Sequence, residues 1–361
     1  MSNKTRKTAQ SLYLDTIKAS DLDDFLSRGW YRMGPTIFCS FFIFFERSLF
    51  STIWLRTPLE NYKLSKSLKR LDRKNKARLT HSFEPFEYSD TVEELYQKYR
   101  LTFKGNLPEY LDSYMMDSLD MDIYDTYLVK VYAEDSLIAC SIFDVGDNSV
   151  ASIFGFYNPA YSSMSLGLYT MLLEIEFAKQ EQMSFYYIGY FVPGNPRFDY
   201  KLRLGNIEYL DFKTSQWLSL EIFDFEQTPI KLIRRKLDSL KSKLNQKKYD
   251  TIIYQNAFID VNIIEFFPLR YVEDPLIMFL QGYSSTQSLS EIIICIYDVR
   301  IGSYKLYQCQ ILDSSFSRYN QDWVDSLDDG TFKYRLIIKK TLKTCKTIAP
   351  IERWMQQFHA K

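Results

Sequence analysis

Between residues 186 and 201 the chain reads YYIGYFVPGNPRFDYK. Tyr186, Tyr187 and Tyr190 crowd around Gly189, a Pro-Gly-Asn-Pro turn follows, and Asp199 and Lys201 flank Tyr200. Phenol hydroxyls, a carboxylate and an ammonium in so short a stretch are materials for a polar pocket. In a strand, Asp199 and Lys201 would share a face; a plain surface salt bridge is the alternative reading. A second group of charges lies upstream, in KLSKSLKRLDRKNKARL. There Lys63, Lys66, Lys69, Arg70, Arg73, Lys74, Lys76 and Arg78 are interrupted by one acid, Asp72. Leu64, Leu68, Leu71 and Ala77 run beside them at helical spacing. Such a row suits phosphates, or it is the solvated face of a basic helix.

Other chemistries lack material. The only histidines are His81 and His359, so a His-rich metal site or a Ser-His-Asp triad has little material to work with. Cys39, Cys140, Cys295, Cys309 and Cys345 include no C-x-x-C pair, which argues against a zinc ribbon or a disulfide framework. Lys plus Arg and Asp plus Glu are both 45, so any nucleic-acid contact must come from a local patch. Aromatic residues reach 17%, enough for rings to line grooves as well as fill cores. The most apolar run, IFCSFFIFF, is far short of the ~20 residues that span a bilayer. It reads as a buried strand. No apolar signal core follows the basic start MSNKTRKTAQ, and the cytoplasm is the expected compartment.

The elements that must hold these residues are legible as patterns. SDLDDFLSRGW predicts a short helix with Ser20 as cap and Gly29 as stop. Residues 89–120 predict helix, opened by Ser89 or Asp90. TYLVKVYAEDSLIACSIFDVGDNSVASIFGFYNP predicts a meander of three antiparallel strands. SSMSLGLYTMLLEIEFAKQEQ predicts an amphipathic helix capped by Ser163 or Ser165, with Leu168, Met171, Leu172, Ile175 and Ala178 on one face. MSFYYIGYF, IEYLDF and QWLSLEI predict further strands. Strand, strand, strand, helix, strand is the layout of GNAT-type acyltransferases, in which a splayed sheet edge holds the acyl donor. The expected fold is therefore α+β: a GNAT-like core with a mixed sheet and flanking helices, plus a C-terminal α+β accessory domain. The expected division is 1–85, an N-terminal region with the basic segment; 86–224, the core; and 225–361, a basic helix begun by Pro229, several strands and a closing helix, with no chemical motif.

Residues 137–203 resemble the aminoacyl-tRNA–protein transferases of the arginyl and leucyl type. The resemblance is carried by LIACSIFDV, by SIFGFYNPAYSSMSLGLYTMLLEIEFAKQ and by FYYIGYFVPGNPRFDYKLRLG. SRGWYRMGPTIF and SKSLKRLDRKN are similar to two earlier family segments and put Arg32, and Lys69, Arg70, Arg73 and Asn75, at matching positions. The resemblance covers about residues 20–215. It implies transfer of an amino acid from aminoacyl-tRNA to a protein N-terminal α-amine, in the degradation signalling of the N-degron pathway. The family carries N-terminal cysteine pairs associated with an iron–sulfur cluster or a metal. Here that region keeps Cys39 alone, and no cofactor or metal is expected.

That reaction attacks an activated ester, so it needs positioning, removal of an amine proton and support of an oxyanion. Lys66, Lys69, Arg70 and Arg73 could track an acceptor stem, and Arg32 joins them as a substrate-binding residue. Tyr187 or Tyr190 could stack the terminal adenosine. Asp144, which ends the strand in IFDV, could read an ammonium or accept a proton, or simply cap a turn. With Asp199 and Lys201 these make the expected catalytic set; Gly167, Gly189 and Tyr200 complete the substrate pocket. Two alternatives stand beside this reading. One is a non-catalytic relative that binds tRNA or a degradation substrate. The other is an acetyl-CoA-dependent acyltransferase, against which Met164 and Tyr169 count, because they replace the polar and small ends of a pyrophosphate loop. The expected partners are aminoacyl-tRNA and a protein or peptide N-terminus, with no membrane.

Overall fold

The computed structural model describes residues 8–103, 107–115, 123–264, 269–280, 292–312 and 319–359. Its largest sheet grows from the expected meander: Thr126–Ala133, Ser136–Val145 and Ser149–Tyr157 pair antiparallel, and Thr80–Pro85 adds the outer edge. Phe185–Phe191 then pairs parallel to Ser149–Tyr157. A parallel pair needs a crossover, and the helix Leu166–Gln180 supplies it. Ile53–Pro58, Glu208–Leu210 and Trp217–Ser219 continue the sheet beyond Phe185–Phe191 to eight strands. The α+β layout read from the sequence is the one adopted.

Three local expectations are corrected. The crossover helix does not bury one face; it is buried nearly all round, with Tyr169, Leu173 and Glu174 as enclosed as Leu172 and Ile175. One side packs on the sheet, and the helix Lys66–Lys76 packs against another, where Lys76 pairs with Glu176 at 2.6 Å. The run IFCSFFIFF is two strands, Thr36–Ser40 and Phe42–Phe45, because Ser40 Oγ donates to Phe42 O and turns the chain at Phe41. The first helix is Ala19–Ser27, entered from Lys18, with no side-chain cap bond from Ser20; Gly29, at φ +75°, does end it.

The sheet is covered on both faces. The crossover helix lies on one. On the other, helices Asp90–Arg100 and Leu111–Met115 close over Leu128, Cys140, Ile142 and Phe156. Beside them, Ala19–Ser27 and a three-stranded sheet of Ala9–Tyr13, Thr36–Ser40 and Tyr31–Met33 close over Trp54, Ala151 and Tyr187. Residues 252–345 build a six-stranded sheet in the order Thr331–Phe332, Ile252–Asn256, Leu276–Phe279, Ile292–Asp298, Ser303–Leu312, Arg335–Cys345. The helix Pro229–Gln246, with Pro229 in its first turn, and the closing helix Ala349–His359 pack on one face of it. Among the described residues no helix is long and apolar enough to cross a membrane.

What positions a site is the parting of the two parallel strands. They pair only where Ser149, Val150 and Ala151 meet Phe185, Tyr186 and Tyr187. Beyond that point each strand has an irregularity against its other neighbour: one between Ser152 and Phe154, one between Tyr187 and Gly189. A bulge bends its strand and adds twist, so the two strands diverge. Gly189 sits at φ +83°, a conformation that favours glycine. The chain then turns at Pro193–Asn195 and folds back as 3-10 turns over Pro196–Leu204, beneath the open edge; Asn195 Oδ1 accepts from Arg197 N.

Candidate active site

Two cavities open at the parted strands. The larger, about 660 Å³, lies toward the N-terminal layer and is walled by Tyr31, Arg32, Trp54, Tyr114, Gly189 and Tyr190. The smaller, about 500 Å³, lies toward the start of the crossover helix and is walled by Tyr99, Tyr157, Gly167, Met171 and Tyr200. Both are lined by Ser152, Ile153, Phe154, Phe198 and Lys201, so they meet in the gap between the strands.

Lys201 stands in that gap. Its Nζ donates to Tyr190 O at 2.9 Å and lies 5.5 Å from the centre of the Tyr190 ring. A Cβ on Gly189 would come within 3.2 Å of Nζ, so the glycine makes room for the lysine as well as for the bulge. Burial pushes the ammonium down to about 8, and the Glu174 carboxylate works against that. Glu174, on the crossover helix, is fully buried. It accepts hydrogen bonds from Ser141 Oγ and from Tyr186 OH, the latter at 2.6 Å. Burial pushes its carboxyl up to about 7, against the hydrogen bonds from Ser141, Tyr186 and Ser152 and against the Lys201 charge. A buried acid and a half-buried amine are thus both moved toward neutrality, as acid–base chemistry requires.

Aromatic rings brace the gap. Tyr31 OH donates to Tyr187 O at 2.6 Å, and its ring stacks on Trp54 at 5.1 Å. Trp54 meets Tyr190 edge-on at 5.2 Å, and Tyr190 stacks on Phe198 at 5.7 Å.

The residues singled out in the sequence separate into four groups. Lys201, Gly189, Tyr190, Gly167 and Tyr200 line the cavities. Tyr187 lines neither: it is 3% exposed and packs edge-on to Trp217, so of the two tyrosines Tyr190 alone reaches a cavity, the larger one. Asp199 is exposed and also lines neither. Residues 196–204 are 3-10 turns with three residues per turn, not a strand, so positions two apart do not share a face.

Asp144 and Arg32, 112 positions apart, form a buried ion pair at 2.9 Å, each side chain 1% exposed. The same guanidinium donates to Thr126 Oγ1, Met115 O and Gly34 O. Asp144 pairs in register with Ala151, not with Phe185–Phe191; it lies two strands from Gly189 and lines neither cavity. Arg32 lines the larger cavity while pinning the strand Tyr31–Met33 to the sheet.

Lys66, Lys69, Arg70 and Arg73 are exposed on Lys66–Lys76 and line neither cavity. Ser65 caps that helix by accepting from Leu68 N. At its other end buried Asn75 donates to Met164 O, two residues before the crossover helix begins. The C-terminal end of the basic helix is thereby tied to the chain entering the crossover helix, whose Gly167 lines the smaller cavity.

Glu174, Ser141 and Ser152 escaped the sequence reading. One signal existed for the first: Glu174 is three residues after Met171 and four before Ala178, on the apolar stripe itself, where a carboxylate needs partners. Among the described residues no three His, Cys, Asp or Glu side chains converge as a metal site.

Residues 91–211 match the family model described as arginine-tRNA-protein transferase, C terminus. The chain is 28% identical over 208 residues to arginyl-tRNA–protein transferase 1 of Drosophila melanogaster, covering 52% of this chain and 39% of that protein. It is 27% identical over 212 residues to the aspartate/glutamate leucyltransferase of Campylobacter jejuni, covering 54% of this chain and 82% of that protein. The crystal structure of FemX superposes with a TM-score of 0.33 at 10% identity, over 55% of this chain and 69% of that one. The family match ends at residue 211, before the six-stranded sheet begins.

Proposed function

We propose that this chain, whose residues 91–211 are a divergent arginine-tRNA-protein transferase C-terminal region, moves an amino acid from an aminoacyl-tRNA to the α-amine of a protein N-terminus. One observation carries the reading: two cavities, one for each substrate, meet at a lysine whose pKa is near neutrality.

The donor's 3′ end enters the smaller cavity, because the basic helix Lys66–Lys76 is tied to the chain that leads into Gly167 on its wall and phosphates are drawn to its exposed cations. The terminal adenosine then has Tyr157 and Tyr200 within reach for stacking. The acceptor's first residue occupies the larger, aromatic cavity. In the gap the acceptor amine attacks the ester carbonyl. A nitrogen–carbon bond forms, the amine proton passes to neutral Lys201, and the carbon–oxygen bond to the ribose breaks as that oxygen takes a proton back from Lys201. The carboxylate of Glu174 tunes the lysine. No step requires a cofactor. We take residues 225–361 as a separate accessory unit and the cytoplasm, where charged tRNA is made, as the site of reaction.

The test is label transfer. Purified protein is incubated with radiolabelled arginyl- or leucyl-tRNA and peptides beginning with Asp, Glu, Lys or Arg. Label in at least one peptide, with release of free tRNA, is expected. Label left wholly on tRNA across the panel would refute the reading and favour a non-catalytic binder.

A further inference from the structure

The helix Pro229–Gln246 lies outside everything the transferase reading uses. Residues 229–248 hold Lys231, Arg234, Arg235, Lys236, Lys241, Lys243, Lys247 and Lys248 against one acid, Asp238, in a chain of zero net charge. Ile233, Leu237, Leu240 and Leu244 bury one stripe of the helix in the C-terminal core. Lys231, Arg234, Arg235, Lys236, Lys241 and Lys243 lie among the helix's remaining positions, with Asp238 as their one acid. Lys231 pairs with Glu226, and Lys247 with Glu352. Arg234, Lys241 and Lys243 make no ion pair among the described residues. A face kept only for solubility mixes charges of both signs; this one concentrates a single sign.

The helix is tied to the active site. The hairpin Phe42–Phe45 and Ser48–Ser51 has Phe45 at its tip, where the ring lines both cavities and Glu46 pairs with Arg197 at 3.0 Å. At its base Ser51 Oγ accepts from Ile230 N at 3.0 Å, and Leu49 joins the core around Ile233. Four strand residues span roughly 13 Å, and an 18-residue helix adds about 27 Å. A basic surface beginning that far from the reacting centre is beyond a terminal nucleotide and within range of the duplex that carries it.

We propose that the exposed face of Pro229–Gln246 docks the phosphate backbone of the donor tRNA's double-stranded body, a second grip separate from the basic helix beside the cleft. This rests on the reading that the donor is a tRNA. Duplex RNA is held mainly through backbone contacts, which a row of unpaired cations supplies without base readout. A membrane is the poorer fit: no large apolar side chain is exposed on this helix, and interfacial helices need one apolar face free for lipid.

The test uses the full chain with Arg234→Ala, Lys241→Ala and Lys243→Ala combined, its folding checked by thermal melting. Binding is measured against a deacylated tRNA transcript, an acceptor-stem minihelix and vesicles with 30% phosphatidylserine, over a salt series. The variant is expected to bind full tRNA about tenfold more weakly, with the slope of log affinity against log salt reduced by roughly 2 to 3. Its affinity for the minihelix, which keeps the duplex adjoining the terminal nucleotide, falls likewise. Unchanged affinity and slope for full tRNA would overturn the proposal, as would loss of vesicle binding alone. Failure of the unaltered protein to bind either RNA would remove the tRNA reading itself, which distinguishes the two failures.

Discussion

Lys201 and Glu174 act as a coupled pair in opposite directions. Burial lowers the lysine to about 8 and raises the glutamate to about 7. The carboxylate, ionised above about 7, holds the lysine higher than burial alone would leave it. Removing that charge with Glu174→Gln should therefore lower the lysine further and move the rising limb of the transfer pH profile to lower pH. A residue that merely fills space would change the maximum rate without moving the limb. Gly189 belongs beside Lys201: its φ of +83° disfavours any side chain, and a Cβ there would crowd Nζ at 3.2 Å. Gly189→Ala should cost roughly 1–2 kcal/mol in backbone strain and reduce transfer more than tRNA binding, read from thermal melts and single-turnover rates. Of this pair the sequence displayed only half. Lys201 stood in a motif, whereas Glu174 lay inside LLEIEF, where helical periodicity reads the surrounding apolar residues first.

At the scale of elements, the Arg32–Asp144 pair joins the N-terminal layer to the sheet. Both charges are buried, and each depends on the other. Asp144→Asn removes the charge that Asp144 brings to the buried guanidinium, and breaking such a pair typically costs about 3–5 kcal/mol. A marked fall in melting temperature is expected, with transfer and tRNA binding declining together as folded protein is lost. A selective loss of transfer at full stability would return Asp144 to the chemistry. The basic helix predicts the reverse. Lys69→Ala, Arg70→Ala and Arg73→Ala together should flatten the salt dependence of tRNA binding by roughly 2 to 3 in slope and leave melting within a degree or so, since exposed charges contribute little to stability. The meander, crossover helix, cleft strand and closing strands were legible because their periods differ and turn residues separate them. The 3-10 turns at Pro196–Leu204 were not, since RFDYK contains nothing that distinguishes them from a strand. The split of IFCSFFIFF was hidden for a related reason: a single serine, Ser40, makes the turn inside an unbroken apolar run. The Arg32–Asp144 contact had no local signal at all, because only the assembled sheet brings the two together.

For the molecule as a whole, the parted strands make one gap in the eight-stranded sheet, and the proposed reaction takes place there. The most direct measurement is the single-turnover rate of label transfer from aminoacyl-tRNA to peptide, across pH 6 to 9, in the unaltered protein and in Lys201→Arg. The unaltered protein should rise to a plateau with an inflection near 8. Lys201→Arg keeps the charge but does not deprotonate in this range, so it should be slower by about 10²–10⁴, lack that inflection and bind tRNA with undiminished affinity. A Lys201→Arg rate equal to that of the unaltered protein, with the same inflection, would contradict the assignment of the proton to Lys201.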